Sequence, residues 1–264
     1  MMTSWSLRIL ALLILSYLAL PLIVIIGASL TTTSFLTFPP RGLTFDWYEV
    51  VLTNSAYLSA FATSAWLALW ATVIAVLLAV PAALAIARYE FPGRAFLSSL
   101  LLSSLVLPHL VLGAALLQFG SMIGLTRNFT ALLVGHVVIV TPYVLRTVLP
   151  LLSADQKTLE DASCDLGASG LATFRYVTLP QIRPGLLSGS LFAFITSFIN
   201  VELSIFNTTS EINTIPVLLF TYVEYSIDPT IAAVSAATIV AAVIAVVVID
   251  LVVGLDFFSD RGGR

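Results

Sequence analysis

The stretch "TLEDASCDLGASGLATFRYVTLPQIRP", from Thr158 to Pro184, is a polar island in a chain that is otherwise mostly apolar. Of the 264 residues, 59% are hydrophobic and 9% are charged, and the mean hydropathy is +1.06. Soluble domains carry about 25% charged residues. Apolar runs of about 20 residues match the hydrocarbon thickness of a bilayer when they are helical. The composition therefore predicts an integral membrane protein that sends one sizeable polar segment out of the membrane.

Six apolar segments are long enough to cross a bilayer, at about 7–30, 60–87, 95–119, 129–152, 185–206 and 229–253. We interpret the first as a retained anchor, because it is longer than a signal-peptide core and lacks a convincing cleavage site. Pro81, Pro108 and Pro142 lie inside the second, third and fourth segments and predict kinks there. The sequence thus predicts an all-α membrane protein with six transmembrane helices in a single domain, residues 1–264.

Basic residues give the orientation of these segments. Nine of the 11 fall on one side of the predicted membrane, and Arg41 and Arg127 fall on the other. The nine are Arg8, Arg88, Arg94, Arg146, Lys157, Arg175, Arg183, Arg261 and Arg264. The positive-inside rule makes their side cytoplasmic. Both termini and the loop between the fourth and fifth spans, residues 153–183, are then predicted to be cytoplasmic.

We call the whole of this loop, residues 153–183, the polar loop. Its first half has the pattern of an amphipathic helix. Ser153 followed by Gln156 forms a capping-box pattern that favours a helix start. Leu159, Ala162 and Leu166 recur at spacings of three and four and form one apolar stripe. The acidic residues and Lys157 fall mostly on the other faces.

The second half of the polar loop predicts a turn and a second short helix. Gly167 follows the apolar stripe, where glycine can take the left-handed conformation that ends a helix. A second helix is predicted from Ser169 to the residues before Pro180, and Pro184 suits the first turn of the fifth span. Helices this short need a surface to rest on. That surface is either the protein's own membrane helices or a soluble partner, and the pattern alone leaves both open.

Polar residues in the fifth span are candidates for a translocation path. Thr196, Ser197 and Asn200 share one predicted helical face, whereas Glu202 falls elsewhere on the wheel. Inserting a charged side chain at the centre of a bilayer costs about 2.5–3.5 kcal/mol, so a polar or charged side chain in a span needs a functional or structural explanation. One role is contact with a passing cationic solute. The alternative is an interhelical hydrogen bond, or a side chain that reaches the outer interface.

The remaining reactive side chains show no catalytic or metal-binding pattern. His109 and His136 lack a second ligand at metal spacing, which favours packing or helix–helix hydrogen bonds. The single cysteine, Cys164, excludes an intrachain disulfide. The sequence contains no GxxxxGK[ST] loop, so ATP binding of that kind must come from another chain. The net charge of −3 does not suggest a nucleic-acid partner.

The stretch "DASCDLGASGLATFRYVTLP" resembles the cytoplasmic EAA loop of bacterial ABC importer permeases. That pattern is Glu-Ala-Ala, three residues, Gly, nine residues, then Ile-x-Leu-Pro. Asp161, Ala162 and Ser163 stand for the first three residues, and Gly167 stands for the glycine. Val177, Leu179 and Pro180 take the last places. Aspartate and serine are departures that keep the charge and the size, respectively.

The resemblance extends to the spermidine/putrescine-type branch through residues 135–148, 224–239 and the segment "TFPPRGLTFDWY" after the first span. It implies a MetI-like permease fold and a bacterial inner-membrane location. It also implies a second related permease, a pair of ATPase subunits that bind ATP and Mg, and an extracytoplasmic solute-binding protein. This chain would be the non-catalytic subunit, without a cofactor of its own. Relatives often have an acid at the position of Ile199 and often lack one at Glu202.

The resemblance assigns the polar loop as the ATPase-docking element of the importer. The implied docking residues are Asp161, Ala162, Ser163, Asp165, Leu166, Gly167, Ala168, Phe174, Val177, Leu179 and Pro180. The competing interpretation is a stand-alone secondary transporter or channel that uses Glu202, Asn200 and the histidines as an ion path. An intramembrane enzyme is disfavoured, because the sequence has no GxSxG elbow, HExxH motif or paired intramembrane aspartates.

Overall fold

The computed structural model describes residues 2–253, and side chains are described for 5–245, 247 and 248. Arg261 and Arg264, which were counted for the orientation, lie outside the described residues. The regular elements within 2–253 are helical. The α-helices are α1 (Met2–Ala28), α2 (Asp46–Thr53), α3 (Ser55–Arg88), α4 (Arg94–Leu102), α5 (His109–Met122), α6 (Phe129–Val148), α7 (Ala154–Asp165), α8 (Gly170–Thr173), α9 (Leu179–Phe198), α10 (Ile215–Tyr225) and α11 (Pro229–Val253).

The chain forms two compact units, of which the first contains residues 1–59 and 218–245. Its helix α1 is apolar and exposed over most of its length, as suits a helix surrounded by lipid or by another apolar surface. After α1 the chain passes through a connecting segment, residues 29–45, to the short helix α2. The Trp47 indole N–H donates to the Thr31 carbonyl at 2.8 Å, and the hydroxyls of Ser29 and Tyr48 lie 2.6 Å apart. These bonds hold α2 against the end of α1.

The second unit contains residues 60–217 and the described residues from 246 to 253. Its apolar core is built from α3, α6 and α9. Gly185 and Gly189 of α9 lie directly against α6: a Cβ on Gly185 would collide with the Thr147 carbonyl oxygen, and one on Gly189 would lie 2.8 Å from Val144 Cα. This is the small-xxx-small packing of membrane helices, and it fixes α9 closely on α6.

Three described helices are long and apolar enough to cross a membrane: Trp5–Ala28, Ser55–Arg88 and Phe129–Leu151. A fourth span results if Arg94–Leu105 and His109–Met122 are taken together. These agree with the first four predicted segments to within a few residues. Helices α9 and α11 correspond to the fifth and sixth segments, but the part of α11 with continuously described side chains ends at residue 245, and Gln181 and Arg183 lie near the start of α9. The six-span arrangement therefore stays a prediction.

The third predicted span is not one kinked helix. Its two halves meet at an angle of 110°. Pro108 occupies the N-cap position of α5 with φ −59° and ψ 126°, outside the helical region, so the helix is interrupted instead of bent. Pro81 and Pro142, in contrast, lie inside α3 and α6 as expected.

The fifth predicted span, 185–206, is also interrupted. Helix α9 starts earlier, at Leu179, and ends at Phe198; a short 3₁₀ turn, Ser204–Phe206, follows the break. The Asn200 side-chain oxygen accepts from the Leu203 backbone N–H at 2.9 Å, and the Ser204 hydroxyl donates to the Asn200 carbonyl at 2.8 Å. Polar side chains thus satisfy backbone groups that a membrane cannot hydrate.

Candidate functional site

The start of the polar loop is capped as the sequence predicts. The Ser153 hydroxyl accepts a hydrogen bond from the Gln156 backbone N–H at 3.4 Å, and α7 begins at the next residue, Ala154. The cap satisfies one of the backbone donors that the first turn of a helix leaves open. The start of α7 is therefore fixed locally.

The end of α7 is a left-handed turn at Gly167, whose φ is +92°. The Gly167 N–H donates to the Cys164 carbonyl at 2.8 Å, and the Ala168 N–H donates to the Ser163 carbonyl at 3.1 Å. These two bonds form a Schellman motif, the arrangement in which glycine is favoured. The predicted glycine turn is confirmed, and it sets the angle at which the chain leaves α7.

The second half of the loop differs from the prediction of a separate helix ended by Pro180. Helix α8 continues through a π-helical turn, Phe174–Thr178, directly into α9. Pro180 lies in the first turn of α9, where its missing N–H is tolerated because the wider π turn has already changed the hydrogen-bond pattern. A shift of the loop can therefore be passed along one continuous helical segment into the bundle.

A groove of about 580 Å³ lies between α7 and this helical segment. It is lined by Leu159, Ala162, Ser163, Leu166, Ala168, Tyr176, Val177, Pro180 and Gln181. Three of the lining side chains are apolar or aromatic yet highly exposed: Leu166 at 90%, Tyr176 at 73% and Leu159 at 53%. More than half of the surface of Leu159 and Leu166, in the apolar stripe of α7, is thus left uncovered by the described part of the chain.

The predicted docking residues divide between four surroundings. Ala162, Ser163, Leu166, Ala168, Val177 and Pro180 line the groove. Asp161 faces a second depression on the other side of α7, and Asp165 and Gly167 are exposed. Phe174 and Leu179 pack against the apolar core, which was not foreseen. Leu159, Tyr176 and Gln181 complete the groove, and only Leu159 belonged to a stripe visible in the sequence.

The interrupted end of α9 carries a buried polar network around His136. The Ser197 hydroxyl lies 2.7 Å from His136 Nδ1, and the Ser204 hydroxyl lies 2.9 Å from Nε2. Because the Ser204 proton is donated to the Asn200 carbonyl, the Ser204 oxygen must accept from Nε2–H. Nδ1 is then the acceptor, and Ser197 donates to it. His136 of α6 therefore joins both sides of the break, which confirms a helix–helix hydrogen bond.

Two residues near this break, one buried and one exposed, lie close to the His109 ring. The Asn200 amide nitrogen lies 3.3 Å from His109 Nδ1, and the Glu202 carboxylate lies 3.9 Å from the same ring nitrogen. The Glu202 side chain is 61% exposed, whereas Asn200 is buried. Because α9 ends before Asn200, the predicted single face of Thr196, Ser197 and Asn200 is wrong. Of the four candidate path residues, Glu202 is the one with an accessible charge.

Replacing His136 is expected to destabilise the fold around the break. The variant His136→Leu leaves the Ser197 hydroxyl without its acceptor and the Ser204 hydroxyl without its donor, a loss of roughly 1–2 kcal/mol for each interhelical bond. Thermal unfolding of the detergent-solubilised protein should show a lower midpoint. His109→Leu is the control, since His109 makes one longer hydrogen bond to Asn200. An unchanged midpoint for His136→Leu would contradict the described network.

The fold and this loop define a polytopic, all-helical membrane protein with an exposed polar loop between two core helices. The chain belongs to the family of binding-protein-dependent transport system inner membrane components, whose model matches residues 75–256. It is thus the non-catalytic permease subunit of an ABC importer, and ATP is handled by a partner ATPase. Family membership decides against the stand-alone transporter.

Three similar proteins with named transport systems align with most of the chain. The spermidine/putrescine transport system permease protein PotC of Haemophilus influenzae is 28% identical over 225 residues, 85% of this chain and 87% of that protein. The putrescine transport system permease protein PotI of Escherichia coli is 29% identical over 240 residues, 88% and 85% of the two chains. The trehalose transport system permease protein SugB of Mycobacterium tuberculosis is 30% identical over 212 residues, 79% and 77% of the two chains.

Solved structures share the fold. A bacterial ABC transporter involved in the import of the acidic polysaccharide alginate matches with a TM-score of 0.67 at 18% identity, over 96% of this chain and 95% of that chain. An amino acid ABC transporter matches with a TM-score of 0.59 at 19% identity, over 79% and 98% of the two chains. Identities this low support the architecture alone.

Proposed function

We propose that this chain forms half of a translocation pathway for a small solute and works by alternating access. A second, related permease supplies the other half, and a pair of ATPase subunits drives the change. In this proposal the chain has six spans, both termini are cytoplasmic, and the polar loop faces the ATPases. The excess of basic residues on that side supports the orientation.

The observation that carries the docking role is the exposed apolar groove. Leu166 and Tyr176 leave most of their surface uncovered in this groove. Apolar surface in water is unfavourable by about 25 cal/mol per Å², so such a groove favours a partner that covers it. The loop also continues through the π turn into α9, which gives a docked ATPase a rigid connection to the core.

Purification of the intact complex tests this function. The tagged chain, extracted from its native membrane, should bring down an ATPase and a second permease. After reconstitution into vesicles, solute uptake should need ATP and the binding protein. Uptake that is driven by an ion gradient in vesicles containing this chain alone would overturn the proposal.

For the solute we propose a polyamine or a similar small cationic compound. The relatives at 28–29% identity named for spermidine and putrescine support this class, while the trehalose permease at 30% shows that identity alone does not select it. The exposed Glu202 carboxylate at the break in α9 supports a cation, because it is a charge placed where a helix is interrupted.

The variant Glu202→Gln is expected to reduce putrescine uptake by about tenfold or more. A hydrogen bond to a charged group contributes about 1.5–3 kcal/mol, and each 1.4 kcal/mol is a factor of ten. The measurement is the initial rate of labelled putrescine uptake by the reconstituted complex. Glu211→Gln, an exposed acid outside the break, is the matched control. Equal uptake by the two variants would exclude Glu202 as a cation contact.

A further inference from the structure

Glu160 lies on the side of α7 that faces away from the groove, and its side chain is only 14% exposed. Its carboxylate receives two hydrogen bonds from the Arg88 guanidinium, Nε to Oε2 at 2.7 Å and Nη2 to Oε1 at 3.1 Å. This is the bidentate geometry in which an arginine–carboxylate pair is strongest and most directional. The Arg88 side chain is 12% exposed, so both charges are largely withdrawn from water.

Arg88 connects the polar loop to a helix that is distant in the chain. It is the last residue of α3, and 72 positions separate it from Glu160. Its Nη1 also donates to the Leu152 carbonyl, at 3.1 Å, just before α7 begins. One guanidinium therefore fixes both the start and the middle of α7 to the end of α3.

Glu160 also reaches the second half of the loop. The Thr178 hydroxyl donates to Glu160 Oε1 at 2.8 Å, and Thr178 is buried at the end of the π turn that leads into α9. One turn earlier on α7, the Gln156 amide lies 3.5 Å from the Thr178 carbonyl. The carboxylate of Glu160 thus joins three helical elements: α3, α7 and the start of α9.

The electrostatics keep this carboxylate ionised. Burial alone would raise the pKa of Glu160, but hydrogen bonds from Arg88 and Thr178 and the charges of Arg88 and Lys157 hold the pKa below its ordinary value of 4.5. A carboxylate whose pKa is lowered in the folded state stabilises the fold at pH values above its ordinary pKa. This stabilisation is lost as the pH falls through the folded-state pKa. The three-way contact is therefore intact at neutral pH.

We infer that Arg88, Glu160 and Thr178 form a latch that passes movement of the polar loop to the end of α3. Without it, α7 is held by its connection to α6 and by contacts within the loop such as Gln156 to Thr178, and α7 could rotate when a partner pushes on the groove. With it, a push on the groove must also move α3. These are positioning residues, and their role rests on the proposed docking of an ATPase to the loop.

The test is the number of solute molecules imported per ATP hydrolysed by the reconstituted complex. Glu160→Gln keeps the size of the side chain and removes its charge, and it should leave the ATPase bound while the ratio falls about fivefold or more, the range of a typical coupling between sites. Thr178→Val should lower the ratio by a smaller factor. Asp155→Asn removes an exposed acid from the same helix and should leave the ratio unchanged.

Exchanging the charges of Arg88 and Glu160 distinguishes a loss of coupling from a loss of folding. Arg88→Glu and Glu160→Arg should each lower the ratio, and the double variant should recover most of the loss. The latch is overturned if assembled Glu160→Gln complexes import as much per ATP as the unmodified protein, or if the double variant is no better than the singles.

The remaining outcomes also distinguish between the latch and the proposed function. If neither charge variant assembles, an unchanged ratio in Thr178→Val overturns the latch. Loss of ATPase binding in Glu160→Gln overturns it too, because Glu160 would then belong to the docking contact. Failure of the unmodified chain to bind an ATPase would instead refute the proposed function.

Discussion

Gly167→Val should stop coupled import while the protein still inserts into the membrane. At φ +92° a β-branched residue is strained, with a cost of about 1–2 kcal/mol for the left-handed conformation alone. Relief of that strain breaks the two Schellman bonds and changes the angle between α7 and α8. Because the groove is built from both sides of this turn, its shape is lost. We expect uptake to fall by about tenfold or more.

Two other glycines serve as controls for this result. Gly170, in the same loop, has the same open space around its Cβ position but no positive φ, so Gly170→Val should retain uptake. Gly93 has φ +88° and open space outside the loop, so Gly93→Val reports the effect of strain elsewhere. Normal uptake by Gly167→Val in an intact complex would contradict the role of the turn.

Leu166→Asp should strongly weaken ATPase binding without affecting the fold of the chain itself. The side chain is 90% exposed, so the isolated permease loses little when it becomes polar. In the docked state, however, burying an unpaired charge costs about 2–5 kcal/mol in addition to the lost leucine contact, which corresponds to a Kd raised at least about thirtyfold. The measurement is the affinity of the purified ATPase for the detergent-solubilised chain.

Leu171→Asp is the matched control for this variant. Leu171 is 79% exposed on the same loop but does not line the groove. We expect it to weaken ATPase binding much less. Equal effects of the two substitutions would show that general polarity, and not the groove, determines binding.

Local features of the polar loop could be predicted from the sequence because neighbouring residues determine them. Ser153 caps α7 by accepting from the N–H of the residue three positions later, and Gly167 ends the helix by its own backbone conformation. The first four apolar runs likewise predicted helix positions to within a few residues. The spacing of Gly185 and Gly189 is also a sequence signal, since two glycines four residues apart mark close helix packing.

Features that depend on distant contacts could not be predicted in this way. The break after Phe198 is stabilised by His136 of another helix, and an apolar run carries no sign of such a partner. Glu160 was expected on a solvated face, whereas an arginine 72 positions away withdraws it from water. Phe174 follows the exposed Leu171 at a spacing of three, yet Phe174 packs against the core at the start of the π turn.

The most direct test of the docking claim is the accessibility of the groove in the assembled complex. Since Cys164 is the single cysteine, Cys164→Ser gives a background for Leu166→Cys, with Leu43→Cys, 74% exposed in the first unit, as the control. Maleimide should label both positions quickly in the isolated permease. With the ATPase bound, labelling at position 166 should slow by about tenfold or more while position 43 is unchanged. Equally fast labelling at position 166 in the ATPase-bound complex would contradict docking at the groove.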